Sequence, residues 1–478
     1  MSRPGEISLP PQKTSEAATL AAQFAQQLRR AEPELEILES GAATVHYGYD
    51  AGTPHIAAGE GAAGPTVVFP ATAAQVQLSV GLAAELGLTV VPRGAGSGLS
   101  GGANAEATQV VISTEKLNRI IEVSELDEIA VVEPGVINTE LNEHLEPYGL
   151  FYAPDPASSR ISAIGGNIAT NASGVRCAKY GVTRQSVLAL DVVLPDGSLI
   201  SVGHRSIKGV TGLDLTSLFV GSEGILGIVV AATVRVHPIP VARTTVTAFF
   251  DSTAAGAQGL AAITLSPVRP AAIEFFDTPS LENIDAFSGS NLRDRGASLI
   301  LIELDGYGIS EQTEDLTQAL TEVGGRVTAE SEADDAFFWQ LHRSGRGLPE
   351  GKWYIDEDIA VPKSAIPQIY AAFPALEARF GVNICAIAHA GDGTLHPLIT
   401  ADVVNDDDTH PPPELVEVAT ELVKVALSLG GTVSGERGVG TIKRDWAALE
   451  LSARSHELQH AIKRAIDPRL TLNPGKAI

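Results

Sequence analysis

Val90-Val91-Pro92-Arg93-Gly94-Ala95-Gly96-Ser97-Gly98-Leu99-Ser100-Gly101-Gly102 is the stretch on which the reading of this chain turns. An apolar run, Leu88 to Val91, stops at a proline, and five glycines follow between positions 94 and 102. Glycine has no Cβ, so such a loop reaches positive φ and lets a ligand approach its backbone. Successive N–H groups then form a concave nest that suits phosphate oxygens. The loop is read as the holder of a dinucleotide diphosphate.

Two better-known patterns fit the same glycines and are rejected. Gly96-x-Gly98-x-x-Gly101 matches the Rossmann fingerprint, and Gly98-x-Ser100-x-Gly102 matches the hydrolase elbow. Both need a helix opening directly on the glycines. Here Ala103 to Thr108 lead into the strand-like Gln109-Val110-Val111-Ile112.

Upstream, residues 1–13 read as a loose arm, and Thr14 or Ser15 caps a helix to Arg30. Thr66 to Pro70 is a strand, Thr72 to Leu86 a helix ending at Gly87, and Leu88 to Val91 a second strand. Downstream come strands near 109–113, 118–123 and 128–133, a helix over 138–145, and the rigid turn Pro154-Asp155-Pro156. Ile164 to Gly174 is a second cluster of glycine and amide side chains, and Gly221 to Ile228 a third. Ala189 to Val202 is a hairpin turning at Asp196-Gly197. Three such clusters suggest one extended ligand clasped at several points.

The texture changes at Pro238-Ile239-Pro240, after which strands and helices alternate as in an antiparallel α+β domain. A proline-started helix covers 411–429, and one last helix covers 445–465. The expected divisions are an N-terminal arm and helix (1–60), a dinucleotide domain (61–240), a second domain (241–428) and a closing segment (429–478).

Composition narrows the classes. The chain has 478 residues, 33 Lys plus Arg against 58 Asp plus Glu, and a net charge of −25. That argues against nucleic acid and against electrostatic docking on anionic lipid. Cys177 and Cys385 are the two cysteines, too few for a disulfide framework. No signal-peptide pattern and no apolar run of membrane length is seen, so a cytoplasmic location is expected.

A second constellation is His389-Ala390-Gly391-Asp392-Gly393-Thr394-Leu395-His396. Read as a two-residue hairpin loop, Asp392-Gly393 pairs His389 with His396 on one face. Two imidazoles so placed can chelate a divalent metal, with Glu436 as a third ligand. The alternative is a stacked or hydrogen-bonded cross-strand pair.

Together these residues resemble the FAD-linked oxidases of the vanillyl-alcohol oxidase superfamily, in particular its D-2-hydroxyacid dehydrogenase branch. The resemblance rests on Pro92-Arg93-Gly94-x-Gly96, Pro154-Asp155-Pro156, Gly165-Gly166-Asn167, Lys179-Tyr180-Gly181, Gly221-Ser222-Glu223-Gly224, the 389–396 motif and Asn473-Pro474-Gly475-Lys476. It implies an α+β fold: a two-part FAD domain of the PCMH type, a ferredoxin-like antiparallel cap, and a C-terminal helical segment returning to the FAD domain. It places FAD on Pro92, Arg93, Gly94, Ala95, Gly96, Ser97 and Gly98 in the first loop, and on Pro154, Asp155 and Ser158 in the turn. Gly165, Asn167, Thr170, Asn171, Gly174 and Tyr180 follow, then Gly221, Glu223, Gly224, Ile228 and Asn473. Some members attach FAD through a histidine in the first loop; Ser97 stands there, which implies non-covalent FAD. His389, His396 and Glu436 match ligands for Zn or Mn.

The implied chemistry is oxidation of a small D-2-hydroxy acid, D-lactate or glycolate-like, with electrons passed to a quinone, an electron-transfer flavoprotein or a cytochrome. Peripheral attachment to the inner face of the membrane and a homodimer both fit such a protein. Relatives carry a histidine base where this chain has Arg437, and a substrate-clamping arginine where it has His342. Arginine cannot act as a base near neutral pH but its fork suits a carboxylate, whereas histidine can act as a base. The expectation is an exchange of roles: Arg437 clamps the carboxylate and His342, or metal-bound hydroxide, takes the proton. The alternative is that Arg343 clamps and activity is altered or lost. Asp356-Glu357-Asp358 stands where some relatives carry a lysine, which argues against a dicarboxylic substrate. The competing classes are a flavin-dependent transferase of the alkylglycerone-phosphate synthase type, whose run of histidines is absent here, and a non-catalytic flavin subunit of a larger redox complex.

Overall fold

The computed structural model describes residues 14–53, 63–330, 336–340, 351–403 and 412–478. The chain forms two compact units. The first is drawn from Met1–Ser173, Val182–Ile239 and Arg437–Ile478, the second from Gly174–Gly181 and Pro240–Glu436.

The first unit is built outward from the β-α-β stretch that ends in the glycine loop. Thr66–Phe69 and Val90–Arg93 both pair in parallel with Val110–Ser113. Parallel strands need a crossover, and helix Ala73–Leu86 supplies it. The Thr72 side chain accepts the Gln75 N–H at its start, and Gly87 ends it in the left-handed conformation. Val67, Val68, Val90, Val91, Val110 and Val111 are all fully buried. Cover on both faces explains why these strands read as unbroken apolar runs rather than alternating ones. Glu36–Leu38 adds an antiparallel edge.

A second, antiparallel sheet in this unit runs in the order Ile120–Ser124, Ile129–Val132, Ile228–Arg235, Val187–Val193, Leu199–Gly203. The expected Asp196-Gly197 hairpin joins its last two strands. The chain's end returns to the first sheet. Leu472 bridges Val90 in parallel, with Val90 N–H donating to Thr471 O at 2.7 Å and Asn473 N–H to Val90 O at 2.7 Å.

Two local expectations need correction. The helix expected over 445–465 is two helices, Arg444–Glu450 and Ala453–Ile466. Ser452 between them caps the second by accepting the Ser455 N–H. The second glycine cluster opens on a helix, Ile164–Thr170, closed by Asn171 at φ 52°.

The second unit is an eight-stranded sheet whose pairings are all antiparallel. Its main path runs Arg326–Ala329, Arg243–Phe250, Ser298–Asp305, Ala272–Phe276, Asn383–His389, Thr394–Asp402, Lys352–Asp356, with Ile359–Ala360 also on Thr394–Asp402. Central strands Ala272–Phe276 and Ser298–Asp305 are buried along their whole length. One face carries Phe275, whose ring meets Tyr370 of helix Ile366–Phe380 edge-on at 5.1 Å. On the other, Ala272, Phe276, Leu299 and Leu301 pack with Leu281 and Ile284 of helix Thr278–Ser288 and with Trp339. The segment Gly174–Gly181 joins this unit through Arg176, which forks onto Glu303 (3.0 and 3.2 Å), and Tyr180, which donates to Asp305 Oδ2 at 2.6 Å. Among the described residues no helix is long and apolar enough to cross a membrane.

Candidate functional site

The glycine loop leaves strand Val90–Arg93, and the next regular element is strand Val110–Ser113. The missing helix bears out the rejection of both familiar patterns. The loop is held from below by a buried polar floor. Ala51 and Gly52 N–H donate to Gly96 O and Gly98 O, both at 3.0 Å. Asn104 Oδ1 accepts from Asp50 N–H and Thr53 Oγ1, each at 2.9 Å. Lys476 donates to Asn104 O and to Asn473 Oδ1.

The chain after Glu436 is stapled over the same loop. Glu223 Oε1 accepts the Val439 N–H at 2.8 Å and Oε2 the Gly440 N–H at 2.7 Å. Ser100 Oγ donates to Arg437 O at 3.2 Å, and Thr441 N–H donates to Ser100 O at 2.9 Å. Gly440 sits at φ 52°, and a Cβ there would lie 1.9 Å from Ser100 O. Asn473 Nδ2 ties Gly102 O (3.0 Å) to Glu223 O (2.7 Å).

Several residues expected at the cofactor spend their polar atoms on this framework. The Arg93 guanidinium donates to Tyr49 O at 3.0 Å. Asn167 Nδ2 donates to Ser162 Oγ at 3.2 Å and its Oδ1 accepts from Asn138 at 3.3 Å. Asn171 Oδ1 accepts the Arg184 N–H at 2.9 Å, and Thr170 Oγ1 bonds back to Gly166 O at 3.2 Å. A Cβ on Gly165 would lie 2.5 Å from Pro134, and one on Gly224 3.0 Å from Pro92, so these glycines serve close packing. Pro154 O accepts from Asn138 Nδ2 at 3.0 Å, and Ser158 O opens the turn with Ile161 and Ser162 N–H. Ile228 pairs with Val193 inside the sheet. Gly221, at φ 80°, follows helix Leu215–Phe219. Gly174 and Tyr180 lie in the second unit.

The backbone remains for the ligand. A methyl added at Gly94 would meet Gly166 N at 3.6 Å, whereas one at Gly166 meets nothing within 4 Å. The loop at Gly94 thus packs close to Ala163 and the start of helix Ile164–Thr170, and Gly166 faces open space, where free backbone N–H groups suit a phosphate. Asp50, Thr53, Asn104 and Lys476 were not expected as site residues; Lys476, in the tail motif, carried the only signal. Burial pushes the Lys476 ammonium down to about 8, against the pull of Asp50, Glu106 and Glu223.

The second constellation lies within the second unit. The hairpin register differs from the expected one: His389 pairs with Thr394 and Ile387 with His396. The loop is Ala390 to Gly393, with Gly393 N–H donating to His389 O at 3.0 Å. The shift is two residues, the side-chain period of a strand, so both imidazoles still share a face, now as diagonal neighbours. Their ring centroids are 5.0 Å apart at 83°.

Glu436 Oε1 lies 3.2 Å from His389 Nε2 and Oε2 3.5 Å from His396 Nε2. The three donor atoms fall within 4.8 Å of one another, a donor set suited to Zn or Mn. His389 Nδ1 meets both oxygens of Glu274 at 2.8 and 2.9 Å. Desolvation lowers the His389 pKa, but Glu274 and Glu436 outweigh it and raise the imidazole to about 10. Asp358 Oδ2 accepts the Glu436 N–H at 2.8 Å and Ser434 Oγ at 2.9 Å. Glu274 and Asp358 were not anticipated in these roles. His342 and Arg343 lie outside the described residues.

Residues 65–203 match the FAD binding domain model, and residues 239–477 match the C-terminal domain of FAD linked oxidases. The chain is 38% identical to glycolate oxidase subunit GlcD of Bacillus subtilis over 92% of this chain and 93% of that one. It is 32% identical to a D-lactate dehydrogenase of Archaeoglobus fulgidus over 89% and 94%. In fold it is similar to p-cresol methylhydroxylase with substrate bound (TM-score 0.76, 19% identity, 97% of both chains). It is also similar to alkyldihydroxyacetonephosphate synthase (TM-score 0.74, 19% identity, 98% and 86%).

Proposed function

The chain belongs to the FAD-linked oxidase family, and from that premise we propose that it oxidises a small D-2-hydroxy acid, D-lactate or glycolate-like, to the 2-oxo acid. FAD is held non-covalently, Ser97 standing where a covalent link would form. Zn or Mn sits on His389, His396 and Glu436. The observation that carries the proposal is the meeting of these three donors within 4.8 Å, in a chain that also matches the FAD binding domain model.

When bound, the dication supplies Lewis acidity to the substrate hydroxyl and FAD supplies the hydride acceptor. The residues of the chain do the rest. Arg437 grips the substrate carboxylate with its fork. His342 takes the hydroxyl proton, neutral imidazole being the competent form. The Glu223 and Ser100 bonds fix the backbone from which Arg437 projects. Holding Cα in one geometry lowers the barrier by removing the search for it. Electrons then pass to a quinone, an electron-transfer flavoprotein or a cytochrome.

The experiment is anaerobic mixing of metal-loaded flavoprotein with D-lactate, glycolate and longer 2-hydroxy acids. Loss of the oxidised-flavin absorbance with at least one acid is expected. No loss with any would favour the transferase or non-catalytic readings. The exchange of roles has its own test, a double-mutant cycle. His342→Arg combined with Arg437→His should recover activity relative to either single change.

A further inference from the structure

We propose that Glu274 and Asp358 are the positioning residues of the metal centre, each aiming one ligand; this rests on the metal reading of His389, His396 and Glu436. Glu274 stands in the interior of strand Ala272–Phe276, directly opposite His389 on the paired strand. It is a fully buried carboxylate in an otherwise apolar strand. Burying a charge there is costly without compensation. Both its oxygens converge on His389 Nδ1, at 2.8 and 2.9 Å. That contact keeps a proton on Nδ1 and turns Nε2 toward Glu436, 3.2 Å away. In a metal complex the Nε2 lone pair then points at the ion, and the carboxylate makes the imidazole a stronger donor.

Asp358 does for Glu436 what Glu274 does for His389. It too is fully buried. Its Oδ2 receives the Glu436 N–H and the Ser434 hydroxyl together, at 2.8 and 2.9 Å. One carboxylate oxygen thereby ties the Ser434 side chain and the Glu436 backbone on either side of Gly435, where a side chain would collide with Thr394 at 2.7 Å. Glu436 is held at the height of the two histidines rather than left on a swinging loop. The cluster gathers three carboxylates against two imidazoles, an excess of negative charge that a dication offsets.

The test is metal titration of apo protein, with no turnover involved. Wild type, E274Q and D358N are stripped of metal and titrated with Zn²⁺ or Mn²⁺ against a chromophoric chelator. Thermal melting of each apo form and the visible spectrum of each Co²⁺-loaded form are recorded in parallel. Loss of a ligand's hydrogen-bonded partner weakens metal binding by about 10–100-fold. That loss is expected in each variant, with apo melting near the wild type and the Co²⁺ bands shifted. Affinities within about threefold of wild type, with unshifted Co²⁺ bands, would overturn the proposal. If wild type binds neither metal, the metal reading itself falls, a result distinct from equal binding by all three. If E274Q does not fold, D358N decides by the same criteria.

Discussion

Glu223→Ala is the perturbation whose cost the geometry defines most closely. The Glu223 carboxylate is 9% exposed and takes two backbone N–H bonds, from Val439 at 2.8 Å and Gly440 at 2.7 Å. Bonds to charged groups are worth about 1.5–3 kcal/mol each, and truncation leaves two buried N–H groups with nothing to replace the carboxylate. The segment after Glu436 should therefore lose about 3–6 kcal/mol of protection against local opening. A factor of ten corresponds to about 1.4 kcal/mol. Amide exchange of the peptide covering 437–442 should then accelerate by roughly 10²–10⁴-fold, up to the ceiling set by global unfolding. Glu223→Gln keeps one acceptor but turns an amide NH2 toward the other N–H, so it should fall between wild type and the alanine variant. Hydrogen–deuterium exchange read by mass spectrometry is the assay. Exchange within about threefold of wild type in the alanine variant would refute the claim that Glu223 staples this segment to the glycine loop.

Other outcomes follow from the same structure. His396→Ala removes an imidazole of the proposed metal site and should weaken Zn²⁺ or Mn²⁺ binding by more than the roughly 10–100-fold typical of outer partners, with FAD content unchanged by absorbance. Gly440→Ala puts Cβ 1.9 Å from Ser100 O at a φ of 52°, so soluble, FAD-loaded protein should fall sharply in purification yield. Arg437→Lys replaces a fork with a point charge and should raise KM for the hydroxy acid about tenfold or more, with a smaller change in kcat. The pH dependence of FAD affinity reports on Lys476, whose pKa is lowered to about 8. Above that value the apo side chain is neutral, while a bound diphosphate favours the charged form. Binding then takes up a proton, and calorimetry in buffers of different ionisation enthalpy should show uptake and weakening affinity as pH rises past 8. The unfolded lysine holds its proton to about 10, so between these values the unfolded chain binds more protons and apo stability rises with pH.

What the sequence disclosed, and what it hid, follows from the range of the interactions. The strand–helix–strand run into the glycine loop was legible because each signal is local: Thr72 as cap, Gly87 as stop, unbroken valines on either side. The helix at Ile164–Thr170 was not seen as one because Gly165 and Gly166 read as breakers; tight packing on Pro134 is what requires glycine at 165. His389, His396 and Glu436 come together as expected although the hairpin register was misread. Asp392-Gly393 sits in a four-residue loop rather than forming a two-residue turn, and an error of two residues leaves the face unchanged. Asp50 and Glu274 gave little sign of their roles because their partners lie far along the chain, at Asn104 and His389. A glutamate inside Ala-Ile-Glu-Phe-Phe was the one visible anomaly. Arg93 was placed at the FAD by the resemblance; its guanidinium also donates to the carbonyl of Tyr49, a contact 44 residues back along the chain that no local signal showed.

The most direct test of the central claim is anaerobic flavin reduction by D-lactate and glycolate, before and after removal of the divalent metal. Bleaching by at least one acid is expected, with loss of that bleaching on chelation while FAD stays bound, and recovery on adding Zn²⁺ or Mn²⁺. Bleaching that persists unchanged in metal-free protein, or its absence for every 2-hydroxy acid with FAD and metal both bound, would contradict it.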